Sequence, residues 1–290
     1  TYTMDGSVYF SLKSFPDYGT LNHIEPENLR LAADGRFEAD EYEKDDVRDF
    51  ALWKKHSSPE EYHWDSPWGP GRPGWHIECS AMIHSIFGEQ GIDIHAGGVD
   101  LLFPHHENEL AQSCCAYPDQ SFVRYWMHNE HLLVAGKKMS KSAGNFFTLR
   151  DLRQEERARD LVEKNSAPPL LLELIHSGKL ARSLRYLYTS FHYRTKLNFT
   201  FENLRAANVS CERIESFLSE LKEHFQLSLD VVFQGELPPQ EFKPVALQKE
   251  WEDFWAALDD DLGTPRALAI LFECLGRLSR ELHQGKLSKQ

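Results

Sequence analysis

One segment limits the architecture of this chain more than any other. Ile92, Ile94 and Ala96 alternate with Asp93 and His95, the period-2 pattern of a strand. The run stops at Gly97-Gly98 and delivers Asp100. Shortly after, Pro104 opens a stretch of good helix formers through Glu107, Glu109, Leu110, Ala111 and Gln112. A strand that ends on glycines and passes into a helix is the building block of an open α/β sheet, where ligands sit just beyond the carboxyl ends of the strands. Gly97 and Gly98 would let a ligand approach the backbone, and Asp100 could hold a ribose hydroxyl. A plain Gly-Gly turn with Asp100 near a helix start fits the same residues.

A second apolar run, Leu132-Leu133-Val134, leads into Gly136-Lys137-Lys138-Met139-Ser140-Lys141-Ser142-Ala143-Gly144-Asn145. Lys138 and Lys141 can bracket a triphosphate as mobile point charges, and Gly136 and Gly144 would let the loop swing over it. The strand in front places the loop on the same ligand edge as Gly97-Gly98. A solvated basic turn is the commoner fate of such a cluster.

Around the helix the sequence offers metal ligands. His105 and Glu109 are spaced i,i+4, which puts them on one helical face. His106 is turned about 100° away, toward Leu110, so His105 is the expected ligand. Cys114 is on the far side of the helix, and Cys79 must arrive from a separate element. With cysteine, histidine and carboxylate ligands the expected ion is Zn²⁺. The spacing also fits an ordinary surface pair beside a buried apolar thiol. A metalloprotease helix is disfavoured, because His106-Glu107 is followed by Asn108-Glu109-Leu110 and the second histidine is missing.

Composition fits a soluble intracellular protein. The five cysteines (79, 114, 115, 211 and 274) are an odd count in no disulfide-like array. No apolar run is long enough for a membrane span, and Thr1 to Lys13 lacks the design of a signal peptide. The net charge of −13 argues against indiscriminate nucleic-acid binding, but the charge is uneven. Residues 38–49 carry a dense acidic block, read as a solvated insert. Between 179 and 205 the balance reverses: Lys179, Arg182, Arg185, Arg194, Lys196 and Arg205 stand against Glu202 alone. Leu180, Leu184, Leu187, Tyr188 and Phe191 form one stripe of a helix with a basic back, which suits an RNA backbone or plain solvent. Farther on, Ile214, Phe217, Leu218, Leu221 and Phe225 form another stripe. Gly235 to Pro244 reads as a loop. Thr264 is the expected cap of a last helix lined by Leu268, Leu271, Leu275, Leu278 and Leu282, with Pro265 at its first position.

Taken together, Trp75-His76-Ile77-Glu78-Cys79-Ser80, Phe103-Pro104-His105-His106-Glu107-Asn108-Glu109 and Lys138-Met139-Ser140-Lys141-Ser142 resemble the cysteinyl-tRNA synthetase family. The last is the class I aminoacyl-tRNA synthetase signature. Asp65 to Gly74, Gly6 to Phe10, Asp49 to Lys54, His192-Tyr193-Arg194, Leu197-Asn198-Phe199 and Asp259 to Pro265 match too, so the resemblance spans nearly the whole chain. It implies an α/β fold: the second half of a Rossmann-like nucleotide-binding domain, followed by α-helical tRNA-contacting modules. The expected layout is 1–60 as part of the insertion between the two halves of the catalytic fold and 61–150 as the second half itself. A helical stem-contact region would take 151–206, and 207–290 would begin a tRNA-binding helical domain.

The resemblance also implies a reaction, in which cysteine is activated with ATP and Mg²⁺ to cysteinyl-adenylate and passed to tRNA(Cys). Zinc on Cys79, His105 and Glu109 would bind the substrate thiolate. Trp75 would wall the cysteine pocket, or else be a core tryptophan. Lys138, Ser140 and Lys141 would meet the ATP phosphates, with Gly97, Gly98 and Asp100 on the nucleotide. Two departures stand out: no His-Ile-Gly-His element is present, and no cysteine precedes Cys79 to supply the family's fourth zinc ligand. The expectation is therefore a fragment that falls short of adenylate chemistry alone. A related ligase acting on a small amino sugar, or a non-catalytic zinc- or tRNA-binding piece, are the alternatives. The expected location is the cytoplasm or an organelle.

Overall fold

The computed structural model describes residues 1–23, 49–118, 120–140, 142, 144–226 and 247–286. The acidic residues Glu38 to Asp46, the loop from Gly235 to Pro244, and Lys141 lie outside the described residues. The chain divides into two compact units, 1–129 and 130–290.

The first unit opens with an antiparallel sheet in chain order: β1 (Tyr2–Met4), β2 (Ser7–Phe10), β3 (Phe50–Lys55) and β4 (Gly71–Pro73). Asp5 and Gly6 both take positive φ, the condition for a two-residue turn that follows the twist of its strands. Asp49, at the end of the acidic block, is tied down rather than freely solvated. Its carboxylate accepts from the Tyr2 hydroxyl at 2.9 Å and from the Leu12 amide at 3.0 Å.

Helix α1 (Trp75–Phe87) leads to β5 (Ile92–Gly98), which runs parallel to β6 (Val123–Asn129). The crossover is a single turn at Val99–Leu101, a π-turn at Leu102–His106, and α2 (Glu107–Ala116). This is the βαβ arrangement that the strand–helix pattern implies. The regular helix starts only at Glu107, because Phe103 takes extended φ and ψ of −135° and 133° and breaks the run. In β5 the alternation is present but reversed in sense. His95 is turned inward, while Ile94 and its cross-strand neighbour Tyr125 are 58% and 57% exposed. Parallel sheets are ordinarily covered on both faces, so this pair leaves one face of the sheet open; Met82, Ile86 and Phe87 of α1 are exposed as well.

In the second unit β7 (Leu132–Val134) turns through Ala135-Gly136 into β8 (Lys137–Lys138) and pairs in parallel with β9 (Leu197–Phe199). The strand before the lysine loop thus belongs to a separate three-stranded sheet, not to the β5–β6 sheet. Seven helices follow β8 among the described residues: α3 (Leu149–Arg153), α4 (Glu155–Glu163), α5 (Leu170–His176), α6 (Leu180–Thr189), α7 (Phe201–Phe225), α8 (Gln248–Asp259) and α9 (Thr264–His283). Val134, Leu171, Leu174, Leu184, Leu187, Phe199 and Leu204 belong to the core shared by β7, β9 and helices α3 to α7.

Two expectations change here. Tyr188 is half exposed, so the stripe of α6 is carried by Leu180, Leu184 and Leu187. Three of the six cations of this region are paired with carboxylates. Lys179 pairs with Glu212 and Arg182 with Glu215, both on α7, and Arg194 pairs with Asp261. Each acidic partner lies beyond the 179–205 window, which is why the local charge count missed it. At α9 the cap is Gly263, and Thr264 is the first helical residue. No helix among the described residues is long and apolar enough to cross a membrane.

Candidate functional site

In the first unit, ligand atoms of Cys79, His105 and Glu109 lie within 4.8 Å of one another. Cys79 is contributed by α1, one turn after Trp75, and the other two by the π-turn and α2. His105 Nε2 is 2.8 Å from Glu109 Oε1, both buried. The approach is off the hydrogen-bond direction, and Oε1 remains a buried oxygen with no hydrogen-bond partner. Glu109 Oε2 faces His95 Nε2 at 2.9 Å. Burial opposes ionisation of Glu109, but the imidazoles of His105 and His95 outweigh it and hold the carboxyl at about 2. Burial, then the carboxylates Glu109 and Glu78, push the Cys79 thiol up. A divalent cation would reverse that field. The mixed sulfur, nitrogen and oxygen donors, and an orphaned carboxylate oxygen among them, fit zinc.

Aromatic rings enclose this cluster. Trp75 stacks on His105 with centroids 4.4 Å apart and is 52% exposed, which rules out the core-tryptophan alternative. His76 Nδ1 is 2.9 Å from His105 Nδ1, so a second imidazole orients the first.

The angular argument that set His106 apart from Glu109 fails. His95, His106 and Glu109 form a second group of ligand atoms within 4.8 Å, because His106 and Glu109 are spaced i,i+3, which also makes them neighbours on a helix. His106 is almost wholly buried, with Nδ1 at 2.7 Å from His128 Nε2. Burial, then the charge of His95, lowers its pKa to about 4. The next two residues have other tasks. Glu107 accepts from the Gly19 and Asn22 amides at 2.7 and 3.2 Å, and Asn108 accepts from the Tyr18 hydroxyl. Burial raises the Glu107 pKa against those amide hydrogen bonds. Every residue from His105 to Glu109 is therefore buried and partnered by its own chain.

Gly97 and Gly98 leave room for the chain's own side chains. A Cβ on Gly97 would stand 2.8 Å from His106 Cε1, and one on Gly98 would stand 2.3 Å from Asp100 Oδ1. Asp100 itself is exposed at the start of the Val99–Leu101 turn.

The lysine loop belongs to the second unit. Lys138 is exposed on β8, and Ala135 and Gly136, both at positive φ, make the preceding turn. Asn145 ties the two ends of the loop together: its Oδ1 accepts from the Ser140 amide at 2.9 Å and its Nδ2 donates to the Lys138 carbonyl at 3.2 Å. Asn198 accepts from the Gly136 amide at 2.7 Å. Sequence reasoning missed His76, His95, His128 and Asn145. His95 was readable, being the one aromatic polar residue in an otherwise clear strand.

Comparison with known proteins bears on the whole of this arrangement. Residues 1–163 match the family described as tRNA synthetases class I (C) catalytic domain. The chain belongs to this class I tRNA synthetase family. Residues 253–290 of this class I synthetase chain match the DALR domain. A protein of Leptospira interrogans named cysteine–tRNA ligase is 43% identical over 96% of this chain and 52% of its own length. Proteins of the same name from Chlamydia muridarum and Solibacter usitatus are also 43% identical, each over 99% of this chain and 54% of their own length. The chain thus spans about half the length of the curated relatives it matches. A solved ternary complex of an Agrobacterium radiobacter K84 LeuRS with tRNA and LeuAMS has a TM-score of 0.47 and 12% identity, over 76% of this chain and 29% of that one.

Proposed function

We propose that this chain is part of a cysteine–tRNA ligase, carrying its cysteine-recognising centre and the loop that closes on ATP. The observation that carries the reading is the convergence of Cys79, His105 and Glu109, with one carboxylate oxygen buried without a hydrogen bond. Zinc held by these three residues supplies a Lewis-acidic centre that prefers a thiolate to a hydroxyl, which is the difference between cysteine and serine. A site built around one strong specific contact rejects the analogue lacking it.

The other roles follow from the same reading. Trp75 walls the amino-acid pocket, its exposed indole stacked on His105. His76 and His95 orient His105 and Glu109 from outside the ligand set. Gly97, Gly98 and Asp100 meet the nucleotide. The cysteine carboxylate attacks the α-phosphorus of ATP, and pyrophosphate leaves carrying the charge. Lys138 and Lys141, with Ser140 and Mg²⁺, offset that charge as it develops. The terminal ribose hydroxyl of tRNA(Cys) then attacks the carbonyl of cysteinyl-adenylate, the acyl–phosphate bond breaks, and AMP leaves as the ester forms. The DALR match and the relatives' names favour tRNA over a small amino sugar as acceptor. The cytoplasm is the proposed location.

The test is direct binding. Calorimetry of the zinc-loaded chain should register cysteine and not serine, and zinc removal should abolish the difference. Equal binding of both amino acids with and without zinc overturns the reading. Charging is then measured with the segment in its full-length context.

A further inference from the structure

Among the described residues, a cleft of about 250 Å³ opens between α7 and α9, both in the second unit. Arg213 of α7 and Arg280 of α9 turn toward each other over Gly276. Arg213 Nη2 and Arg280 Nη1 lie 3.6 and 3.9 Å from where a Cβ on Gly276 would stand. The missing side chain is what leaves the space between the two guanidiniums open. Neither arginine meets a carboxylate at ion-pair distance among the described residues, although Arg277 of α9 pairs with Glu250 and Glu281, and Arg182 of α6 pairs with Glu215 of α7. Arg213 is braced over the Phe272 ring, its Cζ 5.4 Å from the centroid. Ser216 and Ser279 add hydroxyl donors to the wall, and Glu220 is the one acid on it.

Two guanidiniums held near each other with no carboxylate at ion-pair distance repel, and an oxyanion between them removes that repulsion. Their planar forks match the oxygens of a phosphate. The cleft offers no free aromatic face for a base: Phe217, which lines it, is buried, and Phe272 beside it has Arg213 over its ring and Tyr186 packed against it. A site with donors for phosphate and no stacking platform grips a backbone and reads no sequence. Of the cations expected to face RNA, Lys179, Arg182 and Arg194 are paired with carboxylates, whereas these two are not.

We propose that Arg213 and Arg280 bind a backbone phosphate of the partner tRNA, an inference that rests on the tRNA partner proposed above. The test is filter binding of tRNA(Cys) to the chain across a salt series, for wild type, Arg213→Gln/Arg280→Gln, and Gly276→Leu. The leucine fills the cleft without changing charge, and thermal unfolding checks that each variant folds. The double variant should bind on the order of 10-fold more weakly, with a log–log salt slope shallower by about one to two. Gly276→Leu should also weaken binding. If wild type binds and the variants match it in affinity and slope, the cleft assignment falls alone. If wild type does not bind tRNA, the partner reading falls and takes the cleft with it. If inorganic phosphate protects wild type but not the double variant from thermal unfolding while tRNA binding is unaffected, the cleft holds a small anion and the backbone assignment is overturned.

Discussion

His105 Nε2 and Glu109 Oε1 stand 2.8 Å apart in a buried site, in an orientation that leaves the oxygen without a hydrogen bond. An unsatisfied buried acceptor costs about 1–3 kcal/mol, and a cation shared with Cys79 would offset that cost. Zinc should therefore stabilise the fold as well as serve the chemistry. Thermal unfolding of the chain should shift upward on adding zinc and return on adding chelator. Cys79→Ser and His105→Ala should each bring bound zinc to background by metal analysis. Unchanged stoichiometry in both variants would sink the site.

Gly97 tests how tightly the second ring of histidines is packed. An added methyl group would stand 2.8 Å from His106 Cε1 and 2.9 Å from Leu101 Cδ1, with the π-turn behind them. Gly97→Ala should cost about 1–3 kcal/mol, the usual range for overpacking. It should also weaken zinc binding, because His106 cannot move without disturbing the shared neighbour Glu109. A variant as stable as wild type in urea would show that the π-turn yields freely.

These two cases mark what was legible in the sequence. Period and spacing carried β5, the helix after it, and the pairing of His105 with Glu109, because those depend on local geometry. They did not carry the break at Phe103, nor the approach of His95 from β5 to His106 and Glu109, which are i,i+3 neighbours. They also did not carry the ion pairs of Lys179 and Arg182, whose partners lie about 33 residues further along and become neighbours only when α6 packs on α7. Trp75 could not be assigned between pocket and core, since a tryptophan reads alike in both until its exposure is known.

An amide side chain, Asn145, ties the described ends of the lysine loop together. Asn145 bridges the Ser140 amide and the Lys138 carbonyl, so Asn145→Ala removes both contacts at once. Backbone amides of the loop should then exchange hydrogen faster while α3 and α6 keep their protection. In the full-length enzyme, Lys141→Ala should slow cysteine-dependent ATP–pyrophosphate exchange on the order of 100-fold, the usual loss for one electrostatic contact to a developing charge. Cysteine binding should hardly change. Exchange kinetics that ignore Lys141 would make the loop structural only.

Asp261 is a latch within the second unit. Its carboxylate accepts from Tyr193 Oη at 2.6 Å and pairs with Arg194, and its carbonyl meets His192 Nε2 at 2.9 Å. It does this at φ 52°, a left-handed conformation that aspartate and asparagine tolerate better than most residues. Asp261→Ala should destabilise by about 1–2 kcal/mol, discounted because the pair is partly exposed. Asp261→Asn keeps the backbone and an acceptor for Tyr193, and should cost about half as much. Equal losses in the two variants, measured by urea unfolding, would mean that neither the acceptor nor the left-handed preference contributes.

Asp151 gives the pH test. The Thr148 and Asp151 side chains each accept from the other's backbone amide, at 3.0 and 3.1 Å, and Arg157 pairs with the carboxylate at 2.7 Å. The Thr148 hydrogen bonds, then Arg157, hold this carboxyl at about 2, against an ordinary value of 3.8. A carboxyl depressed in the folded state binds its proton more readily once unfolded, so its contribution is complete above pH 4 and is lost as pH falls toward 2. Asp151→Asn should therefore cost about 1 kcal/mol near neutrality, the usual value of a helix cap. The gap to wild type should narrow across that acid window, followed by urea unfolding in steps and by NMR titration of the carboxyl. A gap that stays constant from pH 7 to the acid limit of folding would show that the cap does not depend on the charge of Asp151.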